Sequence, residues 1–340
     1  MSAITASLSC TSPPHLLIPF AACSAERWLP AMQALPPAST RNLTRLLQGM
    51  KPQHADEASA HALSPPHERA LARAQGLATD NTADGLIPWA ARQAAEQLQR
   101  GTAQGWAWIT PCHWAMGREH ATLSDPAALA LTEEESRTLL AAMQPYFETD
   151  DITLHYAAPG RWLAEGEVFR SLPTASLDRV LGRNVDAWLP PAANARDLRR
   201  LQNEMQMLLY THPLNDARAA RRQLPVNSIW ISGTGALPAK FGEALTPTLS
   251  QREREQVSVP RSLAEAVFAD DWAAYAQAWA ALDAGELARL LARQQAGETV
   301  RLTLCGERSA QTFETSRPSL RARIKRLFAP LPMLDVLQSL

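Results

Sequence analysis

The chain has 340 residues, 46% of them hydrophobic and 20% charged, which is enough to bury a sizeable core and predicts two domains. Its 33 Lys and Arg against 34 Asp and Glu leave a net charge of -1. That balance excludes a broad nucleic-acid groove, which needs a cationic excess to displace counterions. No run approaches the ~18 apolar residues of a membrane helix, so no membrane partner is expected either.

The N-terminus has no Lys or Arg before Arg27, so the charged start of a signal peptide is missing. The four cysteines, Cys10, Cys23, Cys112 and Cys305, form no C-x-x-C pair, and a reducing cytoplasm is the expected location. The arginine clusters at Arg196–Arg200 and Arg317–Arg326 read as solvated helix faces.

In chain order, residues 1–14 read as a disordered leader and 15–23, HLLIPFAAC, as a first buried strand. STRNLTRLLQGM at 39–50 predicts a helix capped by Ser39 or Thr40. The polar, Pro-punctuated stretch 51–66 reads as a loop, followed by a short helix ending at Gly76 and a second one ending at Gly101. GWAWITPCHW at 105–114 has strand character, with Trp106, Trp108 and Thr110 on one face and Ala107 and Ile109 on the other. A helix follows from Thr132, its N-cap, with Glu135 completing a capping box. ITLHYAAPGRWLAE at 152–165 predicts a hairpin turning at Pro159-Gly160. Leu198, Leu201, Met205 and Leu208 form a helical stripe, and VNSIWIS at 226–232 a buried strand.

Residues 245–256 look foreign. LTPTLSQRERE resembles the translation product of a bacterial intergenic palindromic repeat, and a disordered surface insertion is expected. Phe268, Trp272, Tyr275, Trp279 and Leu282 then fall at 4-3-4-3 spacing, predicting one helix, and ETVRLTLCG a final strand. Helices and strands alternate throughout, so the fold class read from the residues is α/β with a mainly parallel sheet.

Several constellations invite chemistry. Cys112 and His113 are adjacent in a strand and point to opposite faces, so a nucleophile–base pair is not expected. SGTG at 232–235 lacks the phosphate-loop and dinucleotide fingerprints and reads as a structural turn. Asp270-Asp271 reads as helix capping, and Asp125, Asp150, Asp151 and Asp178 are scattered without metal-ligand spacing. None of the eight histidines lies beyond His212, which removes any metal site that needs imidazole from the last third of the chain.

Residues 212–235, HPLNDARAARRQLPVNSIWISGTG, resemble the HPVN..R...G..PAN.IW.WGQG pattern of the archaeal-type cofactor-independent phosphoglycerate mutases, members of the alkaline-phosphatase superfamily. WITPCHWAMG is similar to the strand and AGHIS-like turn of that family, and HYAAPGRWLA to its G..YRHLLV strand, with Arg161 at the arginine position. The likeness runs over about 60–240 and is strongest at 211–238. Within it, LPTASLDRVLGRNVD, LYTHPLNDAR and GTGALP resemble a bacterial group, the RpfE-type regulatory proteins.

The resemblance implies an alkaline-phosphatase-like domain from 15–100 and 236–340 with a smaller α/β domain inserted at 101–235. It implies ligand-binding roles for His113, Arg161, Asn215, Arg218 and Asn227, and it places His67, in SPPHERALA, at the family's nucleophile turn. The family's two-metal ligands have no counterparts: LLIPFAACSA holds no acid before Glu26, and the late strand ends LCGERSA with Glu307 and Arg308. Paired metals neutralise the charge that phosphoryl transfer gathers, so their loss implies loss of that activity. The expectation is a regulatory or phospho-metabolite-binding protein with no metal cofactor, and the protein partner stays open. The alternative is an active mutase or phosphatase with a rebuilt centre, in which His67 takes phosphate beside Mn or Mg.

Overall fold

The computed structural model describes residues 13–98, 104–190, 192–237, 257–316 and 333–340. The proposed insertion, most of the leader, Cys10, the helix end at Gly101 and the second arginine cluster lie outside the described residues. The chain divides into two compact units, Met1–Ala58 with Ser250–Leu340, and Ser59–Leu249. Among the described residues no helix is long and apolar enough to cross a membrane.

The first unit is built on a five-stranded sheet. Its strands are β1 (His15–Ile18) and β2 (Met50–Glu57) from the N-terminal part and β9 (Val257–Ser258), β10 (Arg301–Cys305) and β11 (Ser309–Thr315) from the C-terminal part. The six intervening strands belong to the second unit. The order is β2-β11-β10-β1-β9. β1 is parallel to β9 and β10, but β10–β11 and β11–β2 are antiparallel. The sheet is therefore mixed, and the expectation of a mainly parallel one is corrected. The cause is local: only Gly306, Glu307 and Arg308 link β10 to β11, and so short a link permits a hairpin but no crossover.

β2 corrects a second expectation, since it falls in the stretch read as a loop. Most of its side chains are exposed, so no apolar alternation marks it. It is an edge strand, where Pro52 is tolerated because one side of the strand needs no ladder donor. The expected single aromatic helix is also two. One ends at Phe268 and the next runs Trp272–Leu282, with Asp270 at φ 51 between them and Asp271 capping the amide of Ala274. Tyr275, Trp279 and Leu282 still pack with Leu43, Leu46, Ile18 and Leu302 in one core.

Helix α1 spans Trp28–Gln33 and α2 spans Arg41–Gln48. Thr40 stands at the N-cap of α2 but makes no capping bond from its side chain. The cap comes from Asp283, whose carboxylate accepts from the amides of Asn42 (3.0 Å) and Leu43 (2.9 Å). Asp283 is buried in a π-helical turn after the Trp272–Leu282 helix, so one carboxylate joins elements 240 residues apart. Asp283→Ala strands one buried and one partly buried amide at a helix N-terminus. The expected loss is about 2–3 kcal/mol in denaturant unfolding; a loss below about 0.5 kcal/mol would show the cap to be dispensable.

His15 in β1 is buried, with Nε2 at 2.7 Å from the hydroxyl of Thr303, which in turn bonds Thr312 at 2.8 Å. Burial first, and the charge of Arg301 second, lower its pKa from 6.5 to about 4. The folded value lies below the unfolded one, so the stability of the neutral ring is present above pH ~6.5 and lost as pH falls towards ~4. The loss is on the order of 3 kcal/mol. The unfolding midpoint is expected to drop more steeply between pH ~7 and ~4.5 in the natural chain than in His15→Gln; parallel profiles would exclude His15 as a source of acid lability.

The second unit holds a four-stranded antiparallel sheet of order β6-β7-β3-β8, formed by β3 (Trp106–Cys112), β6 (Thr153–Ala158), β7 (Arg161–Glu165) and β8 (Ser228–Gly235). β4 (Trp114–Met116) and β5 (Ala121–Leu123) pair as a separate hairpin. Helices α5 (Glu133–Glu148) and α7 (Ala192–Tyr210) cover one face, where Ala107, Ile109 and Trp162 meet Leu139, Phe147, Leu201 and Met205. Helices α3 (Pro66–Ala74) and α4 (Trp89–Leu98) lie on the other, with Ala72, Ala90 and Ala94 against Trp106 and Leu163. This burial explains why the unit boundary falls at Ala58, whereas the sequence reading placed it near residue 100. The faces of β3, the capping box of Thr132 with Glu135, and the turn between β6 and β7 follow the sequence pattern.

Candidate functional site

The stretch at 211–238 is held by its own polar side chains. His212 caps α8 (Pro213–Ala220), its Nδ1 accepting from the amide of Leu214 at 3.1 Å. Asn215 donates to the carbonyls of Leu209 (2.8 Å) and Val226 (2.7 Å) and accepts from the amide of Val226 (2.9 Å). Asn227 accepts from the amide of Trp114 (2.7 Å) and donates to its carbonyl (3.0 Å). Arg218 is 0% exposed. Its guanidinium donates to Glu135 at 2.6 Å, to the carbonyl of Leu224 at 2.9 Å and to that of Leu129. Glu135 also takes Arg221.

SGTG lies within β8, not in an open loop. Gly233 has φ +62, and a Cβ there would meet the ring of Trp108 at 2.8 Å. Thr234 is buried, donates to the carbonyl of Leu172 at 2.6 Å and shares a bond with the Thr174 hydroxyl at 2.9 Å. Cys112 is fully buried, which pushes its thiol well above the usual range and removes it as a nucleophile. His113 is half-buried, with Nδ1 donating to the carbonyl of Pro225 at 2.9 Å. Arg161 is exposed, and its guanidinium stacks 4.3 Å above the ring of Trp108. Arg218, His113 and Arg161 thus face three different settings: a buried carboxylate, a turn carbonyl and an indole.

Arg218→Ala is expected to cost about 3–5 kcal/mol, because it leaves a buried carboxylate and carbonyls without their donor. Arg161→Ala, on an exposed stack, is expected to cost at most about 1 kcal/mol. Denaturant unfolding of both variants checks the contrast, and equal losses would overturn it.

His67 has a different neighbourhood. Pro65 and Pro66 set the entry to α3, which places His67 and Glu68 in its first turn. The loop before it is fixed by Asp84, whose carboxylate accepts from the amides of Leu63 (2.7 Å) and Ser64 (2.9 Å). Alongside runs the segment LPTASLD: the amide of Ser176 donates to the carbonyl of Leu63 at 3.0 Å. Ser176 caps the one-turn helix α6 (Leu177–Val180) and donates from its hydroxyl to Glu68 at 2.5 Å. This brings Asp178 to His67, with Oδ2 3.0 Å from Nε2, at 8% and 4% exposure. His67, Glu68 and Asp178 each offer a ligand atom within 4.8 Å of the others.

Asp178 had no ligand spacing in the sequence, and the reading that set it among scattered acids is corrected here. It lies 111 residues from His67, and the fold joins them by laying the LPTASLD segment against the entry to α3. The signal available in the sequence was that both stretches, SPPHERALA and LPTASLDRVLGRNVD, carried part of the family likeness.

The two-metal centre implied by that likeness would need a donor set spread over two ions. Two bridged ions need a clamp on both sides, more than three donor side chains supply. His67, Glu68 and Asp178 are the one such donor group among the described residues. In the first unit, the ends of β1 and β10 are where an α/β sheet would hold a ligand. Phe20 to Ser24 and Gly306 to Arg308 stand there. The amide of Ser24 donates to Glu307 at 3.1 Å and its hydroxyl makes a second bond to the same carboxylate oxygen. Burial pushes the Cys23 thiol up to about 11. Among the described residues the donors do not fit a two-metal centre.

No family model matches the chain. Over 127 residues, 36% of its length, the chain is 28% identical to a probable 2,3-bisphosphoglycerate-independent phosphoglycerate mutase of Geobacter sulfurreducens. Over 122 residues, 35% of its length, it is 23% identical to the 2,3-bisphosphoglycerate-independent phosphoglycerate mutase of Methanosarcina barkeri. Each match spans 31% of the relative, so the similarity covers about a third of the length of these curated proteins. Among solved structures, the PH0037 protein of Pyrococcus horikoshii is 13% identical with a TM-score of 0.45, covering 92% of both chains. The cofactor-independent phosphoglycerate mutase of Thermoplasma acidophilum is 12% identical with a TM-score of 0.35, covering 90% of this chain and 91% of that one. Over part of its length, the chain is similar to cofactor-independent phosphoglycerate mutases.

Proposed function

We propose that the protein is a phosphoglycerate-mutase-like protein that has lost two-metal phosphoryl transfer and acts in regulation by binding a small phosphorylated metabolite. The observation that carries this reading is the use of the family-like polar residues. Arg218, Asn215 and Asn227 spend their hydrogen bonds on the protein's own backbone and on Glu135. They hold a scaffold and do not need a substrate to be satisfied. Of the candidate ligand residues, Arg161 is the one classed as exposed, and an arginine fork grips phosphate or carboxylate without a metal.

Direct phosphorylation of His67 is the competing reading, and its burial weighs against it. At 4% exposure the imidazole offers a phosphoryl donor no approach, and Nε2 already faces Asp178.

With Mn²⁺ or Mg²⁺ present, interconversion of 3- and 2-phosphoglycerate is expected to stay at the blank rate. A thermal-shift titration with 3-phosphoglycerate is expected to raise the melting temperature of the natural chain but not of Arg161→Ala. Turnover that disappears in His67→Ala would overturn the loss of catalysis. An absent shift at millimolar ligand would remove the metabolite.

A further inference from the structure

We propose that the outward face of α7 is a self-association surface, on which a second copy of this chain packs its own α7 in the antiparallel sense. This goes beyond the functional reading above and does not depend on it.

The helix carries two stripes. Leu198, Leu201, Met205 and Leu209 are buried in the core of the second unit. Round the helix from them, Arg200, Asn203, Met207 and Tyr210 recur at 3-4-3 spacing, which places them on one outer face. Such a face is ordinarily polar throughout. Here Met207 is 71% exposed and Tyr210 85%. Tyr146, exposed near the C-terminal end of α5, lines a shallow groove along this face with Asn203, Met207 and Leu208. Apolar side chains scattered singly over a surface need no explanation, but these form one patch with a groove in it. A ridge and a groove on the same patch are what an isologous pair requires, since each copy offers both.

Charge selects the occupant. Arg200 donates to Asp150 at 2.6 Å and to Glu204 at 2.9 Å, so the polar end of the patch is matched within its own chain. The two acids disfavour an anionic surface such as a lipid bilayer. The edges of the guanidinium are taken, which leaves its flat face, and that face accepts an aromatic ring. The same stripe supplies the ring in Tyr210. The net charge of -1 puts little repulsion between two copies.

Spacing gives the register. A 3-4-3 recurrence is the a/d pattern of a coiled coil, held here over about three turns. With the two-fold axis at the level of Met205, antiparallel helices set Arg200 opposite Tyr210 of the second copy and Asn203 opposite its Met207. Symmetry repeats both contacts, so a ring on a guanidinium closes each end and methionine fills the middle. A parallel pair would set Arg200 against its own copy and leave both tyrosines without a cation. So short a stripe falls below the roughly 800 Å² per partner of a standard interface, and a dissociation constant on the order of 1–100 µM is expected.

The test is sedimentation velocity on the full-length chain from about 1 to about 500 µM. The weight-average mass is expected to climb from one chain towards two. Tyr210→Ala and Met207→Glu are each expected to weaken the association at least about 10-fold. Both side chains are exposed, so the melting temperature of the dilute variants is expected to stay that of the natural chain. Met116→Ser, as exposed on the β4–β5 hairpin, is expected to leave association unchanged. In a mixture of Asn203→Cys and Met207→Cys chains, oxidative cross-links read by peptide mass spectrometry are expected to join the two positions faster than either joins itself. A mass of one chain across the whole range would overturn the proposal. So would a dimer of unchanged strength in both Tyr210→Ala and Met207→Glu, or cross-links that favour like positions.

Discussion

A guanidinium with no exposure to water must find every partner inside the protein, and much of the second unit is arranged around that demand. Arg218 reaches Glu135 at the start of α5, the carbonyl of Leu129 in the turn before it, and the carbonyl of Leu224 beyond α8. Those contacts draw together three pieces of chain separated by up to 89 residues. Glu135 has a second duty in the capping box with Thr132, so the helix start and the ion pair fix each other. A buried pair of this kind adds little net stability over an apolar core, but breaking it is costly. It therefore acts as a constraint on arrangement more than as a source of energy.

That constraint bears on function. A phosphate-gripping arginine must exchange water or a counterion for its ligand, whereas Arg218 would have to abandon a carboxylate and two carbonyls. Asn215 and Asn227 are committed in the same way to backbone at Val226 and Trp114. A residue type that matches a family motif thus keeps its position while its hydrogen bonds point inward. The glycines of SGTG tell the same story. Gly233 gives way to an indole and Thr234 fills its valence on Leu172, so the turn serves close packing of β8 on β3.

The sequence made local features legible where one chemical signal acts over a few residues. Thr132 and Glu135 announced a capping box, Pro159-Gly160 a turn, and the alternation around Trp106 the two faces of β3. What it hid depends on contacts far away in the chain. β2 has mostly exposed side chains and is placed by its ladder with β11, which leaves no apolar pattern. The break at Asp270 was masked because Trp272, Tyr275 and Trp279 keep helical spacing to Phe268 across it. Thr40 looked like the cap of α2, but a carboxylate from another helix does that work. His67 stands out through the family resemblance and its partner Asp178 does not, because the two meet only when Leu63 and Ser176 lie side by side.

The buried carboxylates sort by what their partners can release. Asp283 faces two backbone amides and Glu135 faces arginines. Neither kind of partner gives up its proton at any ordinary pH, so these acids are fixed in one role. Asp178 differs, since its partner at 3.0 Å is an imidazole nitrogen. Imidazole is the one partner of the three that binds a metal with the same lone pair it uses for a proton. Beside this pair the Glu68 carboxylate accepts from the Ser176 hydroxyl, which ties the first turn of α3 to the start of α6.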